Sequence, residues 1–482
     1  MIRIFNTASG KKEDFRPIHE KKVGMYTCGM TVYDYAHIGH GRKYVGDDIV
    51  RRTLQYFGYS INHVQNVTDV GHLVSDEDSG QDKMEKGALK HGKSVWEVAE
   101  YFTDHFYASM DALNVLRPTI ICKATEHITE QVDLVKTLME KGVAYDTPEA
   151  VYFDVTKFPD YGKLFGQKLE DKKTAVREEV HTGEYKKNPR DFVLWFKRVG
   201  RFENHIMYWQ SPWGDGFPGW HIECSAMSMK YLGETFDIHT GGIDHISIHH
   251  INEIAQSEAA TGKTFAHYWL HHAFLTVDST KMSKSLGNYF TVEDVIQKGY
   301  DPLALRFFYL SAHYRQQLNF TWEALSGAQA GYKTLCNLVR YILDKKNAAS
   351  SDEISQAAQD FIDTTHLQWT DAVSDDFNMP QAVAVLFEYL KRIKDEVELS
   401  GADYAALYDE VIALDSILGL KLDHVKLVDE VNAPQHVLTL VKEREEARHE
   451  KNWNESDRLR EEIIRQGFSV EDTSEGPVIR VV

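Results

Sequence analysis

The sequence predicts an α/β protein in which a parallel sheet is divided by an α+β insertion and followed by a helical region and a small C-terminal unit. Three observations predict this class. A strand, a loop, a helix and a second strand follow one another over residues 22–67, which is the order of a βαβ unit. Strand-like and helix-like segments alternate again after residue 206. Helical periodicity then dominates from residue 301.

The βαβ unit opens the predicted sheet. Residues 22–28 form a short strand, the stretch from His37 to Phe57 is typical of a helix that Gly58 closes, and Ile61–Val67 form the second strand. Ligands of parallel sheets bind at the carboxyl ends of the strands. The loop after residue 28 is therefore a predicted ligand site.

The insertion has a different character. It contains a helix over Glu126–Lys141, a β-like patch at residues 151–153 and a charged segment from Lys168 to Arg190 that we expect to be rich in loops. The insertion would interrupt the sheet without replacing it.

The second half of the sheet resumes near residue 207. Residues 236–239 read as a strand, Ile248–Thr261 as a helix that Gly262 stops, and Tyr268–Val277 as one further strand.

The rest of the chain is mostly helical. A 3.6-residue apolar period runs through residues 327–425, and two charged helices cover Pro434–Glu450 and Glu455–Arg465 before a small β-like tail. The predicted units are 1–115, 116–205, 206–300, 301–428 and 429–482.

Composition narrows the class of protein. The 482 residues carry a net charge of −19 from 73 acidic and 54 basic groups, which disfavours a polyanion partner on average but does not exclude a local basic patch. The four cysteines are widely spaced, so a disulfide framework is not expected. No apolar run is long enough to span a bilayer, and we expect a cytoplasmic protein with no membrane partner.

The first chemical motif is the string His37-Ile38-Gly39-His40 at the predicted start of a helix. Its imidazoles can donate to phosphate oxygens, Gly39 allows close approach to the backbone, and the helix N-terminus adds partial positive charge. The alternative is a pair of surface or capping histidines.

The second motif is Lys281-Met282-Ser283-Lys284-Ser285. Alone, it could be any solvated turn. Such a loop can also close over a triphosphate and stabilise the charge of a leaving group. Together with the histidine string, on the other half of the sheet, it indicates attack on the α-phosphate of ATP.

A third constellation is a candidate metal site. His249 and Glu253 are four residues apart in a predicted helix, so they share a face. Cys224 and Cys28 could add two thiolates to complete a tetrahedral shell. The alternative is two buried cysteines and an ordinary His/Glu pair on a helix face.

Taken together, the motifs resemble the cysteinyl-tRNA synthetases, which are class I aminoacyl-tRNA synthetases. Besides the two ATP strings, the resemblance rests on residues 26–34 (YTCGMTVYD), 66–69 (NVTD), 191–195 (DFVLW), 219–224 (GWHIEC) and 249–257 (HHINEIAQS). It also covers residues 313–315 (HYR) and 375–378 (DDFN), and so essentially the whole length.

The resemblance implies a fold and a set of site residues. The fold is a Rossmann-like catalytic domain split by the insertion, then an all-α bundle along the tRNA stem and a small anticodon-binding domain. One Zn²⁺ per chain would be held by Cys28, Cys224, His249 and Glu253. The residues that would contact ATP or the adenylate are Thr31, Gly39, Asn66, Thr68, Gly242, Asp244 and Lys284. The substrate cysteine would contact Trp220, His221 and His250, and the catalytic groups would be His37, His40, Lys281 and Lys284.

The implied reaction activates L-cysteine with ATP, accompanied by Mg²⁺, and transfers it to tRNA(Cys). Zinc would select the thiolate of cysteine over the hydroxyl of serine, and His221 and His250 would orient its ligands. We expect a monomer. Trp220 could instead be a core residue, and Asp244 could be an ordinary turn residue after Gly241-Gly242.

Three departures from the family pattern concern the pocket. Met30 stands where proline is usual, Ile251 where an acidic residue is common, and Gly71-His72 belong to a segment that is usually more acidic. None of them removes a predicted metal ligand.

The resemblance puts anticodon recognition in the last unit. Trp453, Arg458 and Arg460 offer a stacking ring and cationic groups for splayed bases. The alternative is a solvated, ion-paired helix with Trp453 as a core anchor.

Three rival functions share parts of this site. A ligase that joins cysteine to a small amine would not need the C-terminal unit. A metabolite nucleotidyltransferase would not need four metal ligands. A non-catalytic tRNA-binding protein would not need both ATP strings.

Overall fold

The computed structural model describes residues 1–70, 73, 82–161, 185–283, 286–347, 353–395, 399–426, 434–473 and 476–481. Lys284, Gly71-His72 and residues 168–184 of the predicted loop-rich segment lie outside these ranges. Among the described helices, none is both long and apolar enough to cross a membrane.

The first half of the chain confirms the βαβ unit. After a hairpin of β1 (Arg3–Asn6) and β2 (Lys11–Asp14), the unit consists of β3 (Lys22–Thr27), α1 (Ile38–Tyr56) and β4 (Ser60–Val67). Two helices that the pattern did not predict, α2 (Lys83–His91) and α3 (Val95–Ala112), precede β5 (Ile120–Lys123).

The central sheet is parallel and has the order β11-β10-β3-β4-β5, where β10 is Phe236–Gly242 and β11 is Ala266–His272. The chain leaves β3 for β4 on one side, and β10 pairs with β3 on the other. This reversal of strand order is the point at which open α/β sheets bind ligands. It places the loop after β3 and the end of β10 side by side.

The insertion forms its own antiparallel sheet beside the parallel one. Helix α4 (Ile128–Glu140) is followed by the strands β6 (Ala144–Asp146), β7 (Ala150–Phe153), β8 (Phe192–Lys197) and β9 (Gly216–Pro218). The inner face shares a core with α5 (Trp220–Leu232) and α6 (Ile251–Thr261). Helices α5 and α6 therefore pack against the antiparallel sheet on one side and against the parallel sheet on the other.

The prediction of one strand over Tyr268–Val277 is wrong. The strand β11 ends at His272, and the chain then enters a separate sheet made of β12 (Leu275–Val277), β13 (Thr280–Lys281) and β14 (Leu318–Phe320). The backbone N–H of Ala273 donates to the carbonyl of Tyr314, 2.9 Å away. This long-range bond takes the backbone out of the parallel ladder, although the apolar pattern continues.

The second half is helical, as predicted. It comprises α7 (Val292–Gln297), α8 (Pro302–Leu310), α9 (Trp322–Asn347), α10 (Gln356–Ser374), α11 (Met379–Asp395) and α12 (Gly401–Leu418). The buried Arg306 on α8 pairs with Asp48 of α1 at 2.6 Å and donates to the carbonyl of Leu418. This buried ion pair thus connects the start of the helical region to α1, which packs beside the parallel sheet.

The C-terminal unit has a small core of its own. Helices α13 (Gln435–His449) and α14 (Trp453–Arg465) pack against a hairpin of β15 (Phe468–Thr473) and β16 (Gly476–Val481). Its buried members include Val437, Val441 and Ile463.

Candidate active site

The loop after β3 is held tightly against β4. A Cβ atom on Gly29 would lie 1.6 Å from the carbonyl oxygen of Asn66, so only glycine fits there. The side chain of Asn66 accepts the N–H of Gly29 at 2.7 Å and donates to Thr68 Oγ1 at 3.0 Å. Thr31 forms a backbone bridge with Thr68. These predicted adenylate contacts therefore also shape the loop that carries Cys28.

The histidine string caps α1 reciprocally. The Nδ1 atom of His37 accepts the N–H of His40, and the Nδ1 atom of His40 accepts the N–H of His37, both at 3.2 Å. The rings stack with centroids 3.7 Å apart. Burial, with help from the nearby charges of His37 and Lys43, holds the pKa of His40 well below its usual range. A neutral ring whose Nδ1 accepts carries its proton on Nε2, where it can donate to a ligand.

The lysine loop packs near this string. A Cβ on Gly39 would lie 2.9 Å from the ring of His37 and 3.5 Å from the Cε of Met282. The side-chain amide of Asn288 accepts the N–H of Ser283 at 2.7 Å and donates to the carbonyl of Lys281 at 3.2 Å. Lys281 itself is exposed. The structure thus brings the described part of the loop up to the helix start.

The four predicted metal ligands converge from four segments of the chain. Cys28 follows β3, Cys224 lies on α5, His249 lies in a π-helical turn (Ile246–His250) and Glu253 lies on α6. Each offers a donor atom within 4.8 Å of the others, and all four side chains are buried. His249 Nε2 lies 2.7 Å from Glu253 Oε1.

The charges of this group favour a cation. A hydrogen bond from Cys28 lowers the pKa of Cys224 to about 6. Burial lowers the pKa of His249, but the charges of Glu253 and Cys224 outweigh it and raise the pKa to about 10. Burial would raise the pKa of Glu253, yet His239 and His249 hold it below its usual range. Two thiols, an imidazole and a carboxylate in a closed, buried cluster fit a tetrahedral Zn²⁺.

A second arrangement of donors overlaps the first. Cys28, His239, His250 and Glu253 also lie within 4.8 Å of one another. His239 Nε2 contacts Glu253 Oε2 at 2.7 Å, which fixes the carboxylate that both arrangements share. Because soft thiolates favour zinc and the first set contains two of them, the first set is the better zinc site.

Aromatic and imidazole rings line the group. Trp220 lies over His249 with centroids 4.3 Å apart, and the Nδ1 atoms of His221 and His249 are 2.9 Å apart. His250 contacts His271 at 2.7 Å through Nδ1 and the Sγ of Cys28 at 3.4 Å through Nε2. The two histidines predicted to contact the substrate are thus also in contact with candidate metal ligands, His221 with His249 and His250 with Cys28.

Gly242 and Asp244 lie where the chain leaves β10. A Cβ on Gly242 would lie 2.3 Å from the Oδ1 of Asp244, and the Asp244 side chain is exposed. The pair lies on the same edge of the sheet as Cys28, whose backbone N–H donates to the carbonyl of Thr240 in β10 at 3.2 Å.

Sequence reasoning missed a polar chain beside these residues. The ammonium group of Lys43 donates to the carbonyl of Cys28 at 2.7 Å and pairs with Asp47 Oδ2 at 3.0 Å. The other carboxylate oxygen of Asp47 lies 2.8 Å from His272 Nε2. The helical spacing of Lys43 and Asp47 after His40 was the only sequence signal for this polar chain. His272 lies 225 residues from Asp47, so spacing could not indicate their contact.

The predicted anticodon residues lie on α14, apart from this site. Trp453 is 57% exposed, Arg458 pairs with Glu455, and Arg460 is exposed. Helical geometry puts Trp453 and Arg460, seven residues apart, on one side of α14 and Arg458 on another.

Comparisons with known proteins cover the whole chain. The family model for the tRNA synthetases class I (C) catalytic domain matches residues 14–330, the DALR domain matches 368–423, and the cysteinyl-tRNA ligase anticodon binding domain matches 431–480. The cysteine–tRNA ligase of Treponema denticola is 45% identical, and that of Thermus thermophilus 42% identical, with 98% of this chain and of the relative covered in both cases.

Solved structures share the fold at low sequence identity. The ternary complex of Agrobacterium radiobacter LeuRS with tRNA and LeuAMS has a TM-score of 0.64 at 12% identity and covers 85% of this chain and 86% of that one. Mycobacterium tuberculosis methionyl-tRNA synthetase in complex with methionyl-adenylate has a TM-score of 0.58 at 15% identity, with 82% and 89% covered.

Proposed function

The chain belongs to the family of cysteine–tRNA ligases, which are class I aminoacyl-tRNA synthetases, and from this premise we propose how its residues divide the reaction. The substrates are L-cysteine, ATP with Mg²⁺, and tRNA(Cys). The reaction has two steps: formation of cysteinyl-AMP and transfer of cysteine to the 3′ end of the tRNA. The enzyme acts as a monomer.

In the first step, a carboxylate oxygen of cysteine attacks the α-phosphorus of ATP. The new O–P bond replaces the bond to the β-phosphate, and pyrophosphate leaves. His37 and His40 donate from Nε2 to phosphate oxygens, since their Nδ1 atoms are occupied by backbone N–H groups. Lys281 and Lys284 stabilise the charge that develops on pyrophosphate. Gly39 leaves room for the nucleotide.

The amino acid lies between the two ATP motifs and the metal group. Cys28, Cys224, His249 and Glu253 would hold one Zn²⁺ ion. This ion would bind the thiolate of cysteine but not the hydroxyl of serine at neutral pH. Trp220 walls the pocket, while His221 and His250 fix the ligands. Thr31, Asn66, Thr68, Gly242 and Asp244 frame the adenylate.

In the second step, the terminal ribose hydroxyl of tRNA(Cys) attacks the carbonyl carbon of cysteinyl-AMP. An ester bond forms, the bond from carbonyl carbon to phosphate oxygen breaks, and AMP leaves with the hydroxyl proton released. Residues 301–428 contact the tRNA stem and residues 429–482 the anticodon. The ring of Trp453 and the cation of Arg460 can engage splayed bases from one side of α14, and Arg458 adds charge on another.

The observation that carries the proposal is the convergence of four buried metal donors within 4.8 Å of one another. The test is cysteine-dependent pyrophosphate exchange by the purified protein together with its metal content. We expect one zinc per chain and exchange with cysteine but not with serine. Active protein without metal, or equal activation of serine, would refute the assignment. A tRNA-charging assay separates it from a ligase that acts on a small amine.

A further inference from the structure

Lys43 lies inside the candidate active site, although no motif includes it. It is on α1, one helical turn after His40, and its side chain is only 13% exposed. The ammonium nitrogen lies 2.7 Å from the carbonyl oxygen of Cys28 and 3.0 Å from Asp47 Oδ2. A cation is therefore fixed beside the backbone of a candidate metal ligand.

Two buried polar residues, Asp47 and His272, hold this cation in position. Asp47 is 2% exposed and contacts Lys43 through one oxygen and His272 through the other. Burial would raise the pKa of Asp47, but the charges of Lys43 and His272 outweigh it and hold the pKa below its usual range. The carboxylate is thus ionised and restrains a side chain that is otherwise flexible.

Lys43 lies close to groups at both ends of the proposed substrate. Its ammonium group contacts the backbone of Cys28, at the thiol end, and it follows His40, at the phosphate end, by one turn of α1. The carboxylate of cysteine must reach the α-phosphate between these ends, because it is the group that attacks. It would do so close to Glu253 and two cysteines, so a nearby cation offsets the repulsion.

An ammonium group has three N–H donors. Among the described residues, the Lys43 ammonium group donates to the carbonyl of Cys28, forms an ion pair with Asp47 at 3.0 Å and lies 4.3 Å from the centroid of the Tyr44 ring. We propose that Lys43 is a substrate-binding residue, whose remaining donor binds the carboxylate of the amino acid and then the acyl-phosphate oxygens of the adenylate. This inference rests on the proposed function and adds a carboxylate subsite to it.

The experiment compares two ligands on zinc-loaded protein by titration calorimetry. L-cysteine carries the carboxylate, whereas L-cysteine methyl ester keeps the thiol and the amine without that charge. We expect Lys43→Met to weaken binding of L-cysteine about 10- to 100-fold, the range for a hydrogen bond to a charged group, and binding of the ester less than about threefold. Lys43→Arg should recover part of the L-cysteine affinity.

Controls separate binding from mere support of Cys28. Lys136→Met removes another aspartate-paired lysine, on α4, and should change neither affinity. Metal content of Lys43→Met should equal that of the parent protein. Equal weakening of both ligands, loss of metal, or no weakening would overturn the role of Lys43. Failure of the parent protein to bind L-cysteine would instead overturn the proposed function.

Discussion

Cys28, Cys224, His249 and Glu253, the candidate metal ligands, are each at most 3% exposed, whereas Trp453, a predicted anticodon residue, is 57% exposed. The first four residues come from separate segments and meet at one point. The predicted anticodon residues lie on a single helix whose arginines can pair with neighbouring glutamates, as Arg458 does with Glu455.

This difference affects how much each region reveals about function. Burying a carboxylate, an imidazole and two thiols together is costly unless they are paired or bind a ligand. In this cluster His249 pairs with Glu253 at 2.7 Å, and the convergence of two cysteine sulfurs on the same pair is what favours a bound metal ion. Exposed aromatic and charged side chains cost little to place, so α14 depends on the family match at residues 431–480 for its interpretation.

The sharpest way to break the comparison is to remove one buried donor. Cys28→Ser should abolish zinc binding and lower cysteine-dependent pyrophosphate exchange by more than about 100-fold, since even residues that only support metal ligands contribute 10- to 100-fold. Metal analysis and the exchange assay measure both effects.

Cys122 offers a matched control because it is also a buried cysteine, 1% exposed, and donates to the carbonyl of Gln65 instead of facing the metal group. Cys122→Ser should keep its zinc and most of its exchange activity. If Cys28→Ser behaved like Cys122→Ser, the buried group would be a packing feature and the contrast with α14 would disappear.

The described part of the lysine loop is intermediate between the two regions, since Lys281 is exposed while Met282 lies close to Gly39 at the start of α1. Lys281→Ala and Lys284→Ala should each lower the rate of adenylate formation about 10- to 100-fold, less than for a rigid donor because the lysines must first close over the phosphates. Binding of L-cysteine should be unchanged. Single-turnover measurement of cysteinyl-AMP tests the rate, and calorimetry tests the binding; a joint loss of both would contradict the assigned role.

Helices and strands around the site were predictable where a single segment of sequence contains the full hydrophobic pattern and its end signal. Helix α1 starts and ends within one residue of the prediction, since its apolar period is regular and Gly58 follows. The strand Tyr268–Val277 failed because a bond from Ala273 to Tyr314, 41 residues away, breaks it, and the apolar pattern contains no trace of that bond.

The same limit applies to side chains. Residue types and the spacing of His249 and Glu253 predicted a candidate metal site, and the resemblance to a family then favoured zinc over two buried cysteines. The convergence of the four residues could not be derived from spacing, as Cys28 and Glu253 are 225 residues apart. Lys43, Asp47 and His272 belong to no motif. Helical spacing relates Lys43 to Asp47, but only the fold reveals their contacts with Cys28 and His272. Long-range partners of this kind need the sheet order β10-β3 that brings them together.

At the exposed end, a smaller and more selective effect is expected. Trp453→Ala should lower kcat/KM for charging of tRNA(Cys) about tenfold, within the range for one stacked base, and leave pyrophosphate exchange unchanged. Leu438→Ala, which removes another exposed apolar side chain from the same unit, is the control. Equal loss in both assays would show that Trp453 supports the fold rather than the tRNA.

The smallest effect concerns the ion pair between Arg444 and Asp472 in the C-terminal unit, where Arg448 also pairs with Asp472 at 2.8 Å. Arg444, 2% exposed, donates to both carboxylate oxygens of Asp472 at 2.7 and 2.9 Å, and this contact holds the pKa of Asp472 below its usual range.

The stability that this ion pair contributes is therefore present above the ordinary aspartate pKa of about 3.9 and lost as the pH falls through the lower folded-state value. Because the Asp472 side chain is 37% exposed, Asp472→Asn should cost less than about 1 kcal/mol at pH 7. The stabilities of the two proteins should converge only when the pH falls below the lowered folded-state pKa of Asp472. Hydrogen exchange of α13 and β15 measures the difference, with Glu461→Gln, which removes a surface partner of Arg465, as the neutral control. If Asp472→Asn still lowered the stability in acid, Asp472 would stabilise the unit by packing rather than by its charge. The C-terminal unit would then resemble the buried candidate metal group more than its exposed surface suggests.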